Sequence, residues 1–339
     1  MSPYASPNDH RRYHYLELAN RLRVLLICDP ETDKSAASLA VNTGHFDDPA
    51  DRQGMAHFLE HMLFLGTRTY PKPGEYQQFM SRHGGSNNAW TGTEFTNFFF
   101  DIDNGFFEAG LDRFSQFFIC PTFAPEWVDK ERNAVDSEYR LKLQDDVRRS
   151  YQVHKETVNP AHPFSKFSVG NLDTLADLPG RDLRSDLIAF YETHYSADRM
   201  ALVMLSPASI ETQLGWCDRF FGTILDRRLG PPALSAPLYR LDDLGIRIQI
   251  APVKETRKLA LTFPLPCVDE YYDKKPLTFL SHLIGYEGEG SLLSLLKGRG
   301  WVNQLAAGGG ISGANFKDFG VSFGLTPLGL DHVDDIIAA

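Results

Sequence analysis

The sequence is poor in cysteine, in basic charge and in long apolar runs, and each shortage excludes a class of protein. Its four cysteines are far apart and form no CxxC pair: Cys28, Cys120, Cys217 and Cys267. This spacing argues against a disulfide scaffold and a thiolate zinc site, and it is compatible with a reducing compartment. A net charge of -10 without a basic stripe argues against nucleic-acid binding. No apolar run reaches the roughly 18 residues of a membrane span, so no membrane partner is predicted.

The amino terminus also lacks the apolar core of a signal peptide. It reads MSPYASPNDHRRYHY, and we therefore predict a cytoplasmic protein. What the chain does contain is an ordinary globular balance, 42% hydrophobic and 23% charged residues. Its 339 residues suggest about two domains.

Proline is concentrated in the stretch DRRLGPPALSAP, residues 226–237, which we predict to be a linker. Apolar patterns before this stretch predict strands and then helices, and the same order restarts after it. We therefore predict an α+β fold, with repeated two-layer domains of mainly antiparallel sheets packed by helices. The predicted domains are residues 1–230, and residues 231–339 as a truncated second copy. Strand patterns after the linker include 246–253 and 258–266.

The end of the sequence, LDHVDDIIAA, predicts an amphipathic helix that begins near Asp331. No cap or breaker follows it. We therefore expect the chain to be a fragment of a longer protein.

The stretch GMAHFLEHMLFLGT, residues 54–67, is a short apolar helix pattern that carries two histidines and a glutamate. On a helix, His57 and His61 lie one turn apart on the same face, where both imidazoles can reach one zinc ion. Glu60 flanks that face and could serve as a general base without being a ligand. The arrangement is H-x-x-E-H, the reverse of the commoner H-E-x-x-H order. The alternative interpretation is a pair of core histidines, each satisfied by one hydrogen bond.

A catalytic zinc site needs a third protein ligand and one open position. The stretch KERNAVDSEYRL offers Glu131 and Glu138, which are two helical turns apart and therefore on one face. The alternative interpretation is a solvated acidic face. Spacing alone does not choose between the two glutamates.

Several longer blocks resemble the insulysin–pitrilysin family of zinc peptidases, the inverzincins. They are, in chain order, GHFDDPADRQGMAHFLEHMLFLGT, GGSNNAWTGTEFTNFFFD, ERNAVDSEY, HPFSKFSVGNLDTL and SHLIGYEGEGSLLSLLKGRGWVNQL. The resemblance covers nearly the whole chain from about Tyr15. It implies the metallopeptidase fold of that family and a zinc-dependent endopeptidase that hydrolyses peptide bonds.

The resemblance also assigns roles at the metal site. His57, His61 and Glu138 match the three ligands of one zinc ion per chain, and Glu60 matches the general base. Glu131 matches a supporting glutamate, whose role would be to orient the ligands. All of these positions are present, which argues against a non-catalytic subunit.

Further residues match the family's substrate contacts. Asn88, Ala89 and Trp90 match the part of an edge strand to which a peptide adds as one more strand. Three glycines match an exosite for the substrate's amino terminus: Gly288, Gly290 and Gly308. A plain loop geometry would explain the glycines equally well.

The long members of the family have four such domains, which close into a chamber. The resemblance therefore implies that the carboxy-terminal half of the same protein is a partner, and the sequence leaves a homodimer open. The natural peptide is left open too. Alternative functions are trimming of the precursor peptide in pyrroloquinoline quinone biosynthesis and, for the isolated fragment, a non-catalytic binding or assembly role.

Overall fold

The computed structural model describes residues 6–339, which group into two units. Unit 1 extends to Leu143 and resumes from Lys166 to Ala233, and unit 2 contains Gln144–Ser165 and Leu234–Ala339. The third and last crossing between the units, from Ala233 to Leu234, lies within the predicted linker. The division into domains 1–230 and 231–339 stays a prediction.

Strands and helices are numbered in chain order. The strands are β1 Arg12–Glu17, β2 Arg23–Cys28, β3 Lys34–Val41, β4 Ser86–Thr91, β5 Thr96–Asp103, β6 Met200–Ser206, β7 Lys258–Leu265, β8 Val302–Gly313 and β9 Phe316–Leu325. Several 3-10 helices of three residues connect these elements. The α-helices are α1 Met55–Leu63, α2 Glu75–Arg82, α3 Phe107–Ser115, α4 Pro125–Lys142, α5 Asp146–Glu156, α6 Leu183–His194, α7 Ile210–Phe221, α8 Pro276–Ile284, α9 Leu292–Gly298, α10 Pro327–Asp331 and α11 Val333–Ala338.

Unit 1 is built on a six-stranded sheet in the order β1-β2-β6-β3-β5-β4. Its pairings are antiparallel except for the parallel pair β2 and β6. Residues along β3 alternate between buried and half-buried, with Leu39 and Val41 fully buried. This alternation shows that one face of the sheet is covered, as a two-layer fold requires. The predicted α+β class with mainly antiparallel sheets is confirmed.

Helix α1 belongs to the layer that covers this sheet. Its apolar residues Phe58, Leu59, Met62 and Leu63 are fully buried in the core of unit 1. The helix contacts β4 at the sheet edge and also α4 and α6. The histidine-bearing segment is therefore fixed on several sides.

Unit 2 has a three-stranded antiparallel sheet in the order β7-β9-β8. The predicted strand at 246–253 is absent, so that prediction is wrong. Its alternating isoleucines pair with no strand of the described chain, and Ile246, Ile248 and Ile250 are exposed. An alternating pattern forms a strand only where a neighbour takes up its backbone hydrogen bonds.

The predicted terminal helix also differs from the structure. Two short helices, α10 and α11, replace a single helix from Asp331, and they meet at His332. Of the described helices, none has the length and apolar character needed to cross a membrane.

Gly54, directly before α1, is expected to tolerate no side chain. It has a φ of +97°, and a Cβ atom there would lie 2.3 Å from the Cα of Gly170. The change Gly54→Ala should lower the free energy of unfolding by about 2–4 kcal/mol, from backbone strain together with overpacking.

Gly74 is the matched control for that prediction. It precedes α2 with a φ of +78°, but nothing lies within 4 Å of the position of its Cβ. Gly74→Ala should therefore lower the free energy of unfolding only by the strain of the left-handed backbone, about 1–2 kcal/mol. Denaturant unfolding of both variants measures the difference, and equal losses would contradict the close contact.

Candidate metal centre

The amino terminus of α1 is held by the buried carboxylate of Asp48. Its Oδ2 accepts a hydrogen bond from the Gly54 backbone N–H at 2.7 Å, and its Oδ1 accepts one from Ala56 at 2.8 Å. Burial raises the pKa of Asp48 to about 7, against these hydrogen bonds, which favour the charged form. Asp48 satisfies two of the N–H groups that a helix start leaves free and so fixes where α1 begins.

Three side chains from α1 and α4 converge on one point. The Nε2 of His57 lies 3.5 Å from Glu138 Oε2, and the Nε2 of His61 lies 3.6 Å from the same oxygen. One ligand atom of each residue lies within 4.8 Å of the other two. Within residues 6–339, this is the one group of three or more histidine, cysteine, aspartate or glutamate side chains with such spacing.

The other ring nitrogen of each histidine is engaged on the far side. His57 Nδ1 donates a hydrogen bond to the backbone carbonyl of Val169 at 2.6 Å. His61 Nδ1 lies 3.1 Å from Glu131 Oε2, an acceptor when ionised. A proton on each Nδ1 leaves each Nε2 with its lone pair directed at the convergence point, which is the tautomer that binds a metal.

The two candidate glutamates occupy different places. Glu138 faces the Nε2 atoms of both histidines, whereas Glu131 faces the Nδ1 atom of His61 alone. Spacing could not separate them, because residues two turns apart on one helix share a face. The position of α1 along α4 separates them in space, and it brings Glu138 to the convergence point.

Electrostatic interactions at this point favour a bound cation. The neighbouring His57 and His61 lower the pKa of Glu138, so that its carboxylate stays ionised and able to bind a cation. Burial acts to lower the pKa of His61, but the neighbouring Glu131 and Glu138 raise it to about 9, so a cation at Nε2 has to displace a proton. Lys142 contacts the second oxygen, Oε1, of Glu138 and leaves Oε2 toward the histidines.

The donor set fits zinc. Two imidazole nitrogens and one carboxylate oxygen are a common ligand set of a catalytic zinc ion. Ligand atoms about 2.0–2.1 Å from a tetrahedral ion are separated by roughly 3.4 Å. The observed distances of 3.5 and 3.6 Å from the nitrogens to the oxygen match this separation. Two of the three separations between ligand atoms therefore already suit the ion, and all three lie within 4.8 Å.

Glu60 lies on the same helix as the histidines and is buried. Its Oε2 accepts a hydrogen bond of 2.5 Å from the hydroxyl of Thr91, the last residue of β4. Burial raises the pKa of Glu60, while this hydrogen bond and the two histidines act in the opposite direction. A carboxylate so held is suited to accept a proton beside the convergence point.

The predicted substrate residues of unit 1 lie on β4, the edge strand. Asn88 and Trp90 are exposed on one face of the sheet, and Trp90 contacts Phe95 at 5.5 Å between ring centroids. Ala89 lies on the opposite face, the side on which Thr91 reaches Glu60. The outer strand β4 therefore contacts the helix that carries both histidines.

The three predicted glycines lie in unit 2. A Cβ at Gly288 would lie 2.2 Å from the hydroxyl of Tyr286, and Gly290 has a φ of +80°. Gly308 is in β8, an edge strand of its sheet. The positive φ explains glycine at position 290, whereas at 288 the exposed Tyr286 side chain could move aside. The substrate role of all three stays a prediction.

Sequence patterns missed several residues that shape the site. Asp48, Thr91 and the Val169 carbonyl act through contacts with residues 6 to 112 positions away along the chain. All three residues lie inside the blocks that carry the family resemblance. Their presence in those blocks was the available signal, but their roles required the fold.

Comparison with known proteins identifies the family of this chain. The model described as insulinase, peptidase family M16, matches residues 23–161, and the one described as peptidase M16 inactive domain matches residues 182–339.

Named relatives agree with these matches. The insulin-degrading enzyme of Homo sapiens is 45% identical over 98% of this chain and 33% of its own length. The A-factor-processing enzyme of Saccharomyces cerevisiae is 43% identical over 97% of this chain and 32% of its own length.

A solved structure of the same kind matches the fold. The crystal structure of pitrilysin superposes with a TM-score of 0.94 at 32% identity, and it covers 99% of this chain and 36% of that chain. The chain thus spans about a third of the length of the relatives it matches. Two family models that together cover most of the chain, and relatives above 40% identity, lead to one conclusion: the chain belongs to peptidase family M16.

Proposed function

We propose that this chain carries the metal centre of a zinc endopeptidase that hydrolyses short peptides. The observation that supports it best is the convergence of His57, His61 and Glu138, with the buried carboxylate of Glu60 beside them. A complete ligand set together with a base favours an enzyme over a non-catalytic binding or assembly subunit.

The proposed roles follow from the contacts of each residue. The three converging side chains hold one zinc ion per chain, and Glu131 and Val169 keep the histidines in the binding tautomer. When bound, zinc polarises the scissile carbonyl and makes water a better nucleophile near neutral pH.

Glu60 moves the proton. Thr91 engages Oε2, so Oε1 is the oxygen available to take a proton from the attacking water. As water oxygen bonds to the carbonyl carbon and the C–N bond breaks, Glu60 passes that proton to the leaving amine.

The peptide is proposed to bind along β4. Because β4 is the last strand of its sheet, its outer backbone groups can pair with an extended segment. Side chains of an added strand alternate between the two faces, so every second one would meet Asn88 and Trp90. In unit 2, Gly288, Gly290 and Gly308 are proposed to admit the substrate's amino terminus close to the backbone.

Names of the relatives indicate the class of substrate. One is named for degrading insulin, which is a polypeptide, and another for processing the A-factor. No observation at the site favours precursor trimming in quinone biosynthesis. Since the relatives are about three times as long, the activity and a closed chamber are proposed for the full-length polypeptide, and the cytoplasmic location stays a prediction.

Product mapping on the full-length polypeptide tests this function. Short unstructured peptides are incubated with it, with and without a zinc chelator, and the products are identified by mass spectrometry. We expect internal peptide-bond cleavage that stops with the chelator and returns when zinc is added. Cleavage unaffected by chelation, or a 339-residue chain that binds no zinc, would contradict the proposal.

A further inference from the structure

The block HPFSKFSVGNLDTL resembles the family's sequences, but its role does not follow from that resemblance. Part of it, residues 167–172, runs past both the histidine helix α1 and the glutamate helix α4. The Val169 carbonyl in this segment accepts the hydrogen bond from His57 Nδ1 at 2.6 Å. The orientation of His57 therefore depends on where the 167–172 segment lies.

Each end of the segment is fixed by one side chain. At its start, the Phe167 backbone N–H donates to Gln53 Oε1 at 2.7 Å. At its end, the Leu172 backbone N–H donates to Asp136 Oδ1 at 3.1 Å. Asp136 is buried, so losing this acceptor would leave an unpaired N–H next to the core.

Packing holds the middle of the segment. Gly170 has a φ of +84°, and a Cβ there would lie 3.2 Å from Val135 Cγ1 on α4. The Phe167 ring contacts Tyr139 of the same helix at 5.3 Å between centroids. The segment thus lies against the helix that carries Glu138.

We propose that the 167–172 segment positions His57, and that Asp136 and Gln53 are positioning residues that set metal affinity without contacting the metal. This inference rests on the proposed zinc site. Helix α4 then has two tasks, because it supplies Glu138 and also fixes, through Asp136, the acceptor that orients the opposite ligand.

Zinc affinity and the visible spectrum of bound Co²⁺ test the proposal on the 339-residue chain. Groups that orient a histidine ligand contribute about 10- to 100-fold to metal affinity. Asp136 acts through the backbone, so Asp136→Ala should raise the zinc Kd by about tenfold, the lower limit of that range. It should also shift the Co²⁺ absorption. Asp136→Asn keeps an acceptor at Oδ1 and should stay near wild type.

A control variant and a second pair of variants distinguish positioning of His57 from a general loss of stability. Asp129→Ala removes an exposed carboxylate from the same helix and should change neither readout. If Asp136→Ala does not fold, Gln53→Ala against Gln53→Glu carries the test, since glutamate retains an acceptor for Phe167. A lower Tm with unchanged zinc Kd and Co²⁺ spectrum, in whichever of Asp136→Ala and Gln53→Ala folds, would overturn the proposal. Absence of zinc binding by the wild-type chain would instead refute the metal site itself.

Discussion

Replacing Glu60 with glutamine should remove nearly all peptide hydrolysis by the full-length polypeptide while leaving zinc bound. The amide has nearly the shape of the carboxylate and can still meet the Thr91 hydroxyl, but it cannot accept and return a proton. General acid–base catalysis contributes about 10²- to 10⁴-fold, so the expected fall in kcat is at least about 100-fold. Initial rates on a fluorogenic peptide, together with zinc content per chain, measure both quantities.

The exposed Glu126, in the first turn of α4, is the matched control. Glu126→Gln removes the same charge from the surface and should leave kcat unchanged. If Glu60→Gln retained substantial activity at full zinc occupancy, Glu60 would not be the base.

The second large effect concerns the two glutamates of α4. Glu138→Gln should weaken zinc binding on the order of a thousandfold, because it replaces a charged ligand atom with a neutral amide oxygen. Glu131→Gln should weaken binding only about 10- to 100-fold, since Glu131 acts through the Nδ1 of His61. Competition with a chromophoric chelator gives both affinities on the same scale.

The order of the two losses is the decisive result. An equal loss in the two variants, or a larger one in Glu131→Gln, would contradict the assignment of Glu138 as the ligand. Circular dichroism of both variants checks that neither loss comes from unfolding.

Local patterns predicted the helix α1 and the strand β7. The apolar helix pattern at 54–67 located α1, because a helix places residues three and four positions apart on one face. The segment 246–253 has an alternating pattern and forms no strand, since a strand also needs a partner. The local sequence pattern does not show whether a neighbouring strand is present to pair with it.

The same distinction between local and long-range contacts applies to the metal site. His57, Glu60 and His61 lie on one helix, so their spacing was informative. The distinction between Glu138 and Glu131 came at first only from the family resemblance, because it depends on where two helices cross. Thr91 and Val169 engage α1 from distant parts of the chain, and their contacts exist only once the sheet and the helices have packed.

The acceptor that orients His57 belongs to the main chain, and this has a consequence for how the protein can vary. Every residue has a carbonyl group, so no codon change at position 169 deletes the acceptor, whereas a missense change at Glu131 removes its counterpart for His61. Apart from replacing His57 itself, a substitution can therefore disturb the orientation of His57 only by moving the backbone around Val169. A saturation library should accordingly tolerate many residues at 169 and few at 131.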